Sequence, residues 1–232
     1  MAHYLVIAAS SAIGQAVTSH LKAQGDSVFL TARDSQKIQP DVILDATNFD
    51  AVLEAFHQAG PIDGVVNCAG SLFLKSANLT SKEQYQAVID ASLTTAFATV
   101  RAAGLTMKQG GSVVLISSAA ALVGIANHEA IAAAKAGIIG LAQSAAATYA
   151  SNNLRFNVVA PGMVASPLTA ELLKSEPVYN ASKGMHALGR IGKPEDIAEA
   201  IVFLLNPKNS WITGQVLAVD GGLSRVRPKM KL

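Results

Sequence analysis

Short apolar runs alternate with longer amphipathic stretches along the whole chain. The apolar runs, most of them rich in Val, Ile and Leu, predict strands at residues 4–9, 27–32, 41–44, 64–67, 112–117, 154–160 and 215–219. Runs that are apolar throughout are typical of strands covered on both faces. Between them, the periodicity predicts helices near residues 14–24, 49–59, 81–108, 128–150 and 195–205. Because parallel strands need crossover helices, the alternation predicts an α/β fold. We expect a doubly wound, Rossmann-type domain, with a parallel sheet of about seven strands and helices on both faces.

The composition fits one apolar domain. The chain has 232 residues, of which 50% are hydrophobic and 15% are charged, so residues 1–232 are expected to form a single domain with a sizeable core. The single cysteine, Cys68, excludes an internal disulfide and a cysteine-based zinc site, and no metal site is predicted. The longest uncharged stretch, near residues 110–127, is interrupted by glycines and serines, so no membrane span is expected. No Lys or Arg precedes the first apolar run, which argues against a secretory signal and favours a cytoplasmic location.

The basic residues are unevenly distributed, although the formal net charge is only +2. The last nine residues, 224–232, carry four of them and no acid, at Arg225, Arg227, Lys229 and Lys231. Such a tail can contact nucleic acid or an anionic surface, remain a solvated terminus, or dock on a neighbouring subunit. Since no basic face with interleaved aromatic residues accompanies it, neither nucleic acid nor a membrane is predicted as a partner.

The first strand–helix turn is a candidate phosphate site, because open parallel sheets bind ligands beyond the carboxyl ends of their strands. This turn runs through Ser10, Ser11, Ile13 and Gly14, and its small residues allow a phosphate to approach the helix N-terminus. Only Gly14 remains of a three-glycine dinucleotide fingerprint. A tight strand–helix turn explains that glycine nearly as well.

The end of the second strand bears on the choice of cofactor. It is neutral and is followed by Arg33. NAD sites usually carry an acid there to bind the ribose hydroxyls, whereas a nearby arginine accommodates the 2′-phosphate of NADP. Arg33 therefore favours NADP(H), with NAD as the alternative because Asp34 follows directly. A solvated loop arginine is the plain structural explanation.

Several later segments form an ordered set of motifs. They are Asp45-Ala46-Thr47, Asn67-Cys68-Ala69-Gly70, Ile116-Ser117-Ser118, residues 157–162 and the closing stretch 189–222. Together they resemble the short-chain dehydrogenase/reductase superfamily over nearly the whole chain. Besides the first turn and Arg33, the resemblance implies a cofactor site made of Asp45, Ala46, Asn67, Ala69, Gly70, Lys135, Pro161, Gly162, Val164 and Ser166. The first turn departs from the family, because Ala8 and Ala12 stand where glycines are usual.

The catalytic positions of the family are only partly present. Active members use Asn, Ser, Tyr and Lys to exchange hydride between a nicotinamide ring and a carbonyl or alcohol. The resemblance places the serine at Ser118 and the lysine at Lys135, where the lysine would hold the nicotinamide ribose. The tyrosine, which gives a proton to the carbonyl oxygen, falls at Ile131, and the asparagine falls at Ser92. The principal proton donor is therefore missing and its relay is altered.

His128 is a candidate substitute for the missing tyrosine. It precedes Ile131 by three residues and Lys135 by seven, which places all three on one helical face if the helix has begun. Histidine serves as a general acid near neutrality, and a neutral ring still has one N–H to donate. The alternatives are that His128 is a polar residue at the cleft mouth, that Ser118 only satisfies backbone, and that Lys135 is exposed.

Residues 166–190 resemble the family's substrate lid. Their apolar members suggest a mostly apolar pocket for a small-molecule substrate: Leu168, Leu172, Leu173, Val178, Tyr179 and Met185. Residues 119–150 contain 14 alanines, which allow helices to approach closely. Since related enzymes pair this helix with that of a second subunit, the resemblance implies a homodimer or homotetramer.

Three functions remain open on the sequence. The first is an NADP(H)-dependent oxidoreductase for a carbonyl or secondary alcohol, with His128 or a water as an atypical proton donor. The second is an NADP(H)-binding pseudoenzyme that senses the nucleotide or supports an active paralogue. The third is an isomerase or dehydratase on the same scaffold, without net hydride transfer.

Overall fold

The computed structural model describes residues 1–228. Its strands are β1 (His3–Ile7), β2 (Ser27–Ala32), β3 (Val42–Ile43), β4 (Gly64–Asn67), β5 (Gly111–Ile116), β6 (Leu154–Pro161) and β7 (Val216–Val219). Its α-helices are α1 (Ala12–Ala23), α2 (Phe49–Ala59), α3 (Lys82–Ile89), α4 (Thr95–Thr106), α5 (Glu129–Thr148), α6 (Ala170–Leu173), α7 (Glu176–Met185) and α8 (Pro194–Leu205).

The seven strands form one sheet in the order β3-β2-β1-β4-β5-β6-β7, and every neighbouring pair is parallel. The chain winds outward from β1 to β3 and then crosses back to β4 on the other side of β1. The predicted doubly wound parallel sheet is thereby confirmed. Its topological switch lies between β1 and β4, where folds of this kind open a crevice for ligands.

Successive residues of the central strands face opposite layers of helices. In β1, Leu5 and Ile7 join the core formed with α2, α4 and α5, whereas Tyr4 and Val6 join the core formed with α1 and α8. Both cores exclude water from the sheet. This is why the strand sequences are apolar throughout rather than alternating.

Three elements differ from the predicted pattern. The helix predicted over 81–108 is divided by a wide π-type turn at Asp90–Thr94 into α3 and α4. The third strand shrinks to Val42–Ile43. The lid contains two helices, α6 and α7, which the sequence pattern did not predict, because α6 is a single turn of four residues and α7 has few apolar residues.

Helix α5 is the one helix within residues 1–228 that is long and apolar enough to cross a membrane, with a mean hydropathy of 1.4. Its buried face includes Ile138, Ala142 and Ala145, which belong to the core beneath the sheet. A core helix of this kind meets the same criterion of length and composition. In the basic tail, Arg225 and Arg227 are exposed, whereas Lys229 and Lys231 lie outside the described residues.

Candidate functional site

A cleft of about 1400 Å³ opens beyond the carboxyl ends of β1, β2, β4, β5 and β6. It brings together most of the site residues predicted from the sequence, namely Ser10, Ser11, Ile13, Arg33, Asp45, Ala46, Ala69, Gly70, Ser118, His128, Lys135, Pro161, Gly162, Val164 and Ser166. Three predicted residues do not line it: Gly14, Asn67 and Ser92. The roles of all these residues stay predictions, and their surroundings follow.

The first turn presents the N-terminus of α1 to the cleft. Ser11 caps the helix, and its Oγ accepts a hydrogen bond of 3.1 Å from the Gly14 N–H. Within residues 1–228, the main-chain N–H groups of Ala12 and Ile13 have no acceptor, and both residues line the cleft. Free N–H groups at the positive end of a helix dipole favour an anion such as a phosphate.

Gly14 lies behind this turn and allows α1 to pack closely on β1. A Cβ there would lie 2.7 Å from the carbonyl oxygen of Ala8. Ala8 itself adopts a left-handed backbone conformation, with φ of +57°. The alanine thus occupies a conformation that favours glycine, which fits the departure noted in the sequence.

The far end of the cleft combines two cations with one acid. Arg33 and Lys37 are exposed and line the cleft, as does Asp45. Hydrogen bonds from the backbone and side chain of Thr47 hold the pKa of Asp45 below its usual value, with a further small effect of Arg33. The fully buried Thr31 hydroxyl also borders the cleft and has no partner within residues 1–228.

Asn67 acts from behind the cleft. Its Nδ2 donates to Thr99 Oγ1 at 2.9 Å, and its Oδ1 accepts from the Ala69 N–H at 2.8 Å. Both ends of the amide are therefore occupied within the protein, and the side chain fixes the turn that presents Ala69 and Gly70. The contact of Asn67 with a cofactor stays a prediction, and the hydrogen bonds within the protein give the side chain a positioning role.

Lys135 places a buried amine in the middle of the cleft. The side chain is 6% exposed, and its Nζ donates to the carbonyl oxygen of Ile116 at 2.9 Å. A Cβ on Gly70 would lie 3.2 Å from Nζ, so the amine faces the bare backbone of that turn. No carboxylate of residues 1–228 pairs with it. Burial lowers the pKa of Lys135 to about 8, and the nearby Cys68 opposes this shift.

Cys68 borders the cleft beside this amine. Burial raises the pKa of its thiol to about 12, although the Lys135 amine acts in the opposite direction. The thiol is therefore protonated at neutral pH, and a protonated thiol is a poor nucleophile. In this environment Cys68 serves as a small residue that fills space beside the amine.

Ser118 is the second residue after β5 and has an extended backbone. Its Oγ accepts a hydrogen bond of 3.2 Å from the Ala120 N–H, which is the structural role that the sequence left open. The hydroxyl hydrogen is not used in that bond. Ser118 can therefore satisfy the backbone and still donate to an oxygen in the cleft.

The two substituted catalytic positions are packed into the protein. Ile131 is 5% exposed and clusters with Val88, Ala130 and Ala134, although one side of it borders the cleft. Ser92 is 1% exposed within the π-type turn, and its Oγ has no partner within residues 1–228. Neither residue presents a proton donor to the cleft.

His128 borders the cleft as the N-cap of α5, not as a residue of its first turn. Its Nδ1 lies 2.7 Å from the carbonyl oxygen of Ala126. Because a carbonyl only accepts, this nitrogen carries the proton, and the Nε2 of the neutral ring has none. The expectation that neutral His128 keeps a free N–H for a ligand is therefore wrong for this geometry, and only the imidazolium can donate from Nε2.

The lid supplies an apolar wall. Of its six predicted apolar residues, four line the cleft: Leu168, Leu172, Val178 and Met185. The other two, Leu173 and Tyr179, do not. Sequence reasoning missed Thr31, Lys37 and His186 at the cleft. Lys37 could have been found from the sequence as a second cation close to Arg33. Nothing in the local sequence distinguishes Thr31 or His186.

Comparisons with known proteins agree with this fold. The family model described as Enoyl-(Acyl carrier protein) reductase matches residues 7–224. The chain is 37% identical to Inactive 2-(S)-hydroxypropyl-CoM dehydrogenase 2 of Xanthobacter autotrophicus, over 80% of this chain and 84% of that protein. It is 32% identical to the 3-oxoacyl-acyl-carrier-protein reductase FabG of Thermotoga maritima, over 94% and 96%. The solved structure of ElxO with NADP bound superimposes with a TM-score of 0.89 at 26% identity, over 96% of this chain and 99% of that one.

The parallel seven-stranded sheet and the cleft at its switch point define a Rossmann-type protein. The chain belongs to the short-chain dehydrogenase/reductase family, as the sequence motifs indicated. Family relatives include dehydrogenases and reductases, one of which is named inactive.

Proposed function

We propose that this protein binds NADP(H) in the cleft and acts as an oxidoreductase on a carbonyl or secondary alcohol. The observation that carries the proposal is the buried Lys135 amine, which faces Gly70 and has one carbonyl partner. Its remaining hydrogens are available to the hydroxyls of a ribose. When bound, a nicotinamide cofactor supplies or accepts the hydride.

The residues at the two ends of the cleft fit this cofactor. The free N–H groups of Ala12 and Ile13 suit a pyrophosphate, and Arg33 with Lys37 suits the 2′-phosphate of NADP. Asp45 lies on the same rim and keeps NAD as the alternative. The NADP bound to ElxO is a property of that relative, and it supports the same choice here.

The substrate end supports an atypical proton transfer. Ser118 would donate its free hydrogen to the carbonyl oxygen, and the imidazolium of His128 or a water would supply the proton that tyrosine supplies elsewhere. The apolar lid wall suits a small-molecule substrate with an uncharged body. We further propose that the protein works in the cytoplasm as a homodimer or homotetramer.

Ligand titration followed by turnover tests this proposal. Native protein is titrated with NADPH and NADH and then assayed on a panel of carbonyl compounds, alongside Lys135→Ala, His128→Ala and the exposed control Lys22→Ala. We expect tighter binding of NADPH than NADH, loss of binding in Lys135→Ala and native binding in Lys22→Ala. Tighter binding of NADH would overturn the assignment of Arg33, and turnover unchanged in His128→Ala would leave water as the donor.

The second candidate function is an NADP(H)-binding protein without hydride transfer. It is favoured by the apolar packing of Ile131 and by the enclosure of Ser92 away from the cleft. A relative named inactive supports the same alternative. NADPH binding without oxidation of the nicotinamide on any substrate would favour it over the enzyme. Conversion of a substrate with no net change in the nicotinamide would favour an isomerase or dehydratase.

A further inference from the structure

His186 lies where the lid returns to the body of the protein, immediately after α7. Its side chain is 4% exposed. It borders the main cleft on one side and a second cavity of about 340 Å³ on the other. Gly162 and Met163, which follow β6, border both spaces as well. The imidazole therefore stands between the two cavities, against the cofactor wall.

Both ring nitrogens of His186 are engaged, each by a group of fixed polarity. Nδ1 lies 2.6 Å from the carbonyl oxygen of Ser182, and Nε2 lies 3.0 Å from the backbone nitrogen of Met163. A carbonyl only accepts and an amide N–H only donates, so Nδ1 carries the proton and Nε2 is bare. The hydrogen bonds thus select one tautomer of a neutral ring. Adding a proton to Nε2 would set two N–H groups against each other.

The contact with Met163 depends on a glycine. A Cβ on Gly162 would lie 2.6 Å from Nε2 of His186, so a larger residue would displace the ring. Gly162 and the preceding Pro161 line the cleft proposed to hold the cofactor. The ring therefore connects the end of the lid directly to that wall.

The charged groups around His186 determine which of them would attract its protonated ring. Asp220, which follows β7, is 6% exposed and lines the second cavity together with His186. Burial alone raises the pKa of Asp220, but hydrogen bonds from Ser224 and Gly222, together with the His186 ring, outweigh it and lower the pKa. Asp220 is therefore an anion at neutral pH.

Other ionisable groups near His186 are either held in an ion pair or exposed to solvent. Arg190 and Asp196 border the same cavity and pair with each other at 2.6 Å and 2.7 Å. Glu195 borders the main cleft from the start of α8. On α7, Lys183 is exposed. Asp220 is thus the buried carboxylate that shares a cavity with His186 and that no ion pair within residues 1–228 holds.

We infer that His186 is a positioning residue of the cofactor site, which in its neutral form ties the lid to Met163 and on protonation releases it. The inference rests on the proposed cofactor site. Because the neutral ring makes the contact, protonation of the ring weakens the binding of a nucleotide in the cleft. The role inferred for His186 does not depend on the protonation state of Lys135.

The first test measures NADPH affinity at about pH 8 and about pH 5.5, on either side of histidine titration. Native protein is compared with His186→Gln, whose amide oxygen accepts from the Met163 N–H and has no proton to gain. His57→Gln removes an exposed histidine on α2 as the matched control. We expect native protein and His57→Gln to lose roughly three- to tenfold more affinity on acidification than His186→Gln, as for one neutral hydrogen bond.

The second test needs no cofactor. Backbone hydrogen exchange of residues 166–190 is measured at both pH values and divided by that of α2, which cancels the intrinsic effect of pH. We expect relative lid exchange to rise on acidification in native protein and to stay constant in His186→Gln.

The outcomes separate the two claims. Native protein that binds no NADPH at the higher pH would refute the proposed function, and lid exchange would then decide the role of His186 alone. Equal acid sensitivity of affinity in native protein and His186→Gln would overturn the inference. Relative hydrogen exchange of the lid that stays constant with pH in native protein would also overturn the inference. This outcome does not depend on the stability of the variant.

Discussion

The Ser117 hydroxyl donates a hydrogen bond of 2.8 Å to the main-chain carbonyl of Lys135, and both residues are buried. This bond ties α5 to the end of β5 at the position where the lysine enters the cleft. The next residue, Ser118, faces the cleft instead. Two adjacent serines therefore serve different purposes, one in holding the helix and one in facing a ligand.

This division predicts different effects of two similar substitutions on binding and turnover. Ser117→Ala removes a buried hydrogen bond and is expected to lower the free energy of unfolding by roughly 1 kcal/mol and to weaken NADPH binding. Ser118→Ala removes the acceptor of the Ala120 N–H, so it is expected to cost a similar roughly 1 kcal/mol of stability, but to leave NADPH binding unchanged and to reduce turnover. Denaturant titration, NADPH titration and steady-state assays measure these effects. Equal losses of NADPH affinity in both variants would contradict the division.

The backbone of Ala8 predicts a stabilising substitution. A non-glycine residue in the left-handed region is disfavoured by about 1–2 kcal/mol, and the greater freedom of glycine in the unfolded chain offsets part of the gain. Ala8→Gly is therefore expected to raise the free energy of unfolding by roughly 0.5 kcal/mol. Ala12, within the first turn of α1, is the matched control.

Ala12→Gly is expected to lower stability by roughly 0.5–1 kcal/mol, because glycine is unfavourable inside a helix. Thermal or chemical unfolding of both variants provides the comparison. A decrease in stability for Ala8→Gly as large as that for Ala12→Gly would refute the argument from the backbone angle.

The buried amine of Lys135 predicts a stability that rises with pH. Its pKa is about 8 in the folded protein, below the usual 10.5, so between these values the unfolded chain binds more protons than the native state. The unfavourable burial of the charge is fully present below pH 8 and is relieved as the pH rises toward 10.5.

The check is a comparison of native protein with Lys135→Met across this interval. Between the two pKa values, the free energy of unfolding of the native protein is expected to rise by on the order of 2–3 kcal/mol relative to that of the variant. Denaturant titrations at stepped pH measure it. A constant difference between the two proteins would show that the amine is not desolvated.

The geometry of His128 predicts the pH dependence of any reduction that it assists. Since Nε2 donates only in the imidazolium, turnover limited by this donor is expected to rise as the pH falls, and His128→Gln is expected to flatten the profile. His57→Gln, at an exposed site, should keep the native profile. A native profile that rises toward alkaline pH would exclude the imidazolium as donor.

The substitution Ile131→Tyr tests whether restoring the tyrosine alone is sufficient to raise turnover. One side of Ile131 borders the cleft, so the phenol can extend there, while overpacking of the cluster is expected to cost about 1–3 kcal/mol of stability. We expect turnover to increase by roughly tenfold or more and to become insensitive to the further substitution His128→Gln. Ile131→Phe supplies the ring without the hydroxyl and should not gain turnover.

The fold was predictable because strands that are apolar throughout indicate a sheet covered by helices on both faces. The arrangement at Ser118 and Lys135 followed from motif spacing. The wide turn at Asp90–Thr94 was not predictable, because this segment contains no proline or glycine to mark a break in the helical pattern. The tautomers of His128 and His186 depend on carbonyl and amide groups brought near by tertiary structure, and residue spacing does not encode them.

The Lys135 amine, which pairs with no carboxylate of residues 1–228, would also link the lifetime of the protein to its ligand supply. A molecule that offers acceptors to this amine binds the folded chain and not the unfolded one, and so reduces the unfolded fraction by mass action. Proteases in the cell act largely on that fraction. A chain that binds nucleotide here is therefore degraded more slowly when the nucleotide is abundant, so that its abundance reports the nucleotide pool even where no turnover takes place.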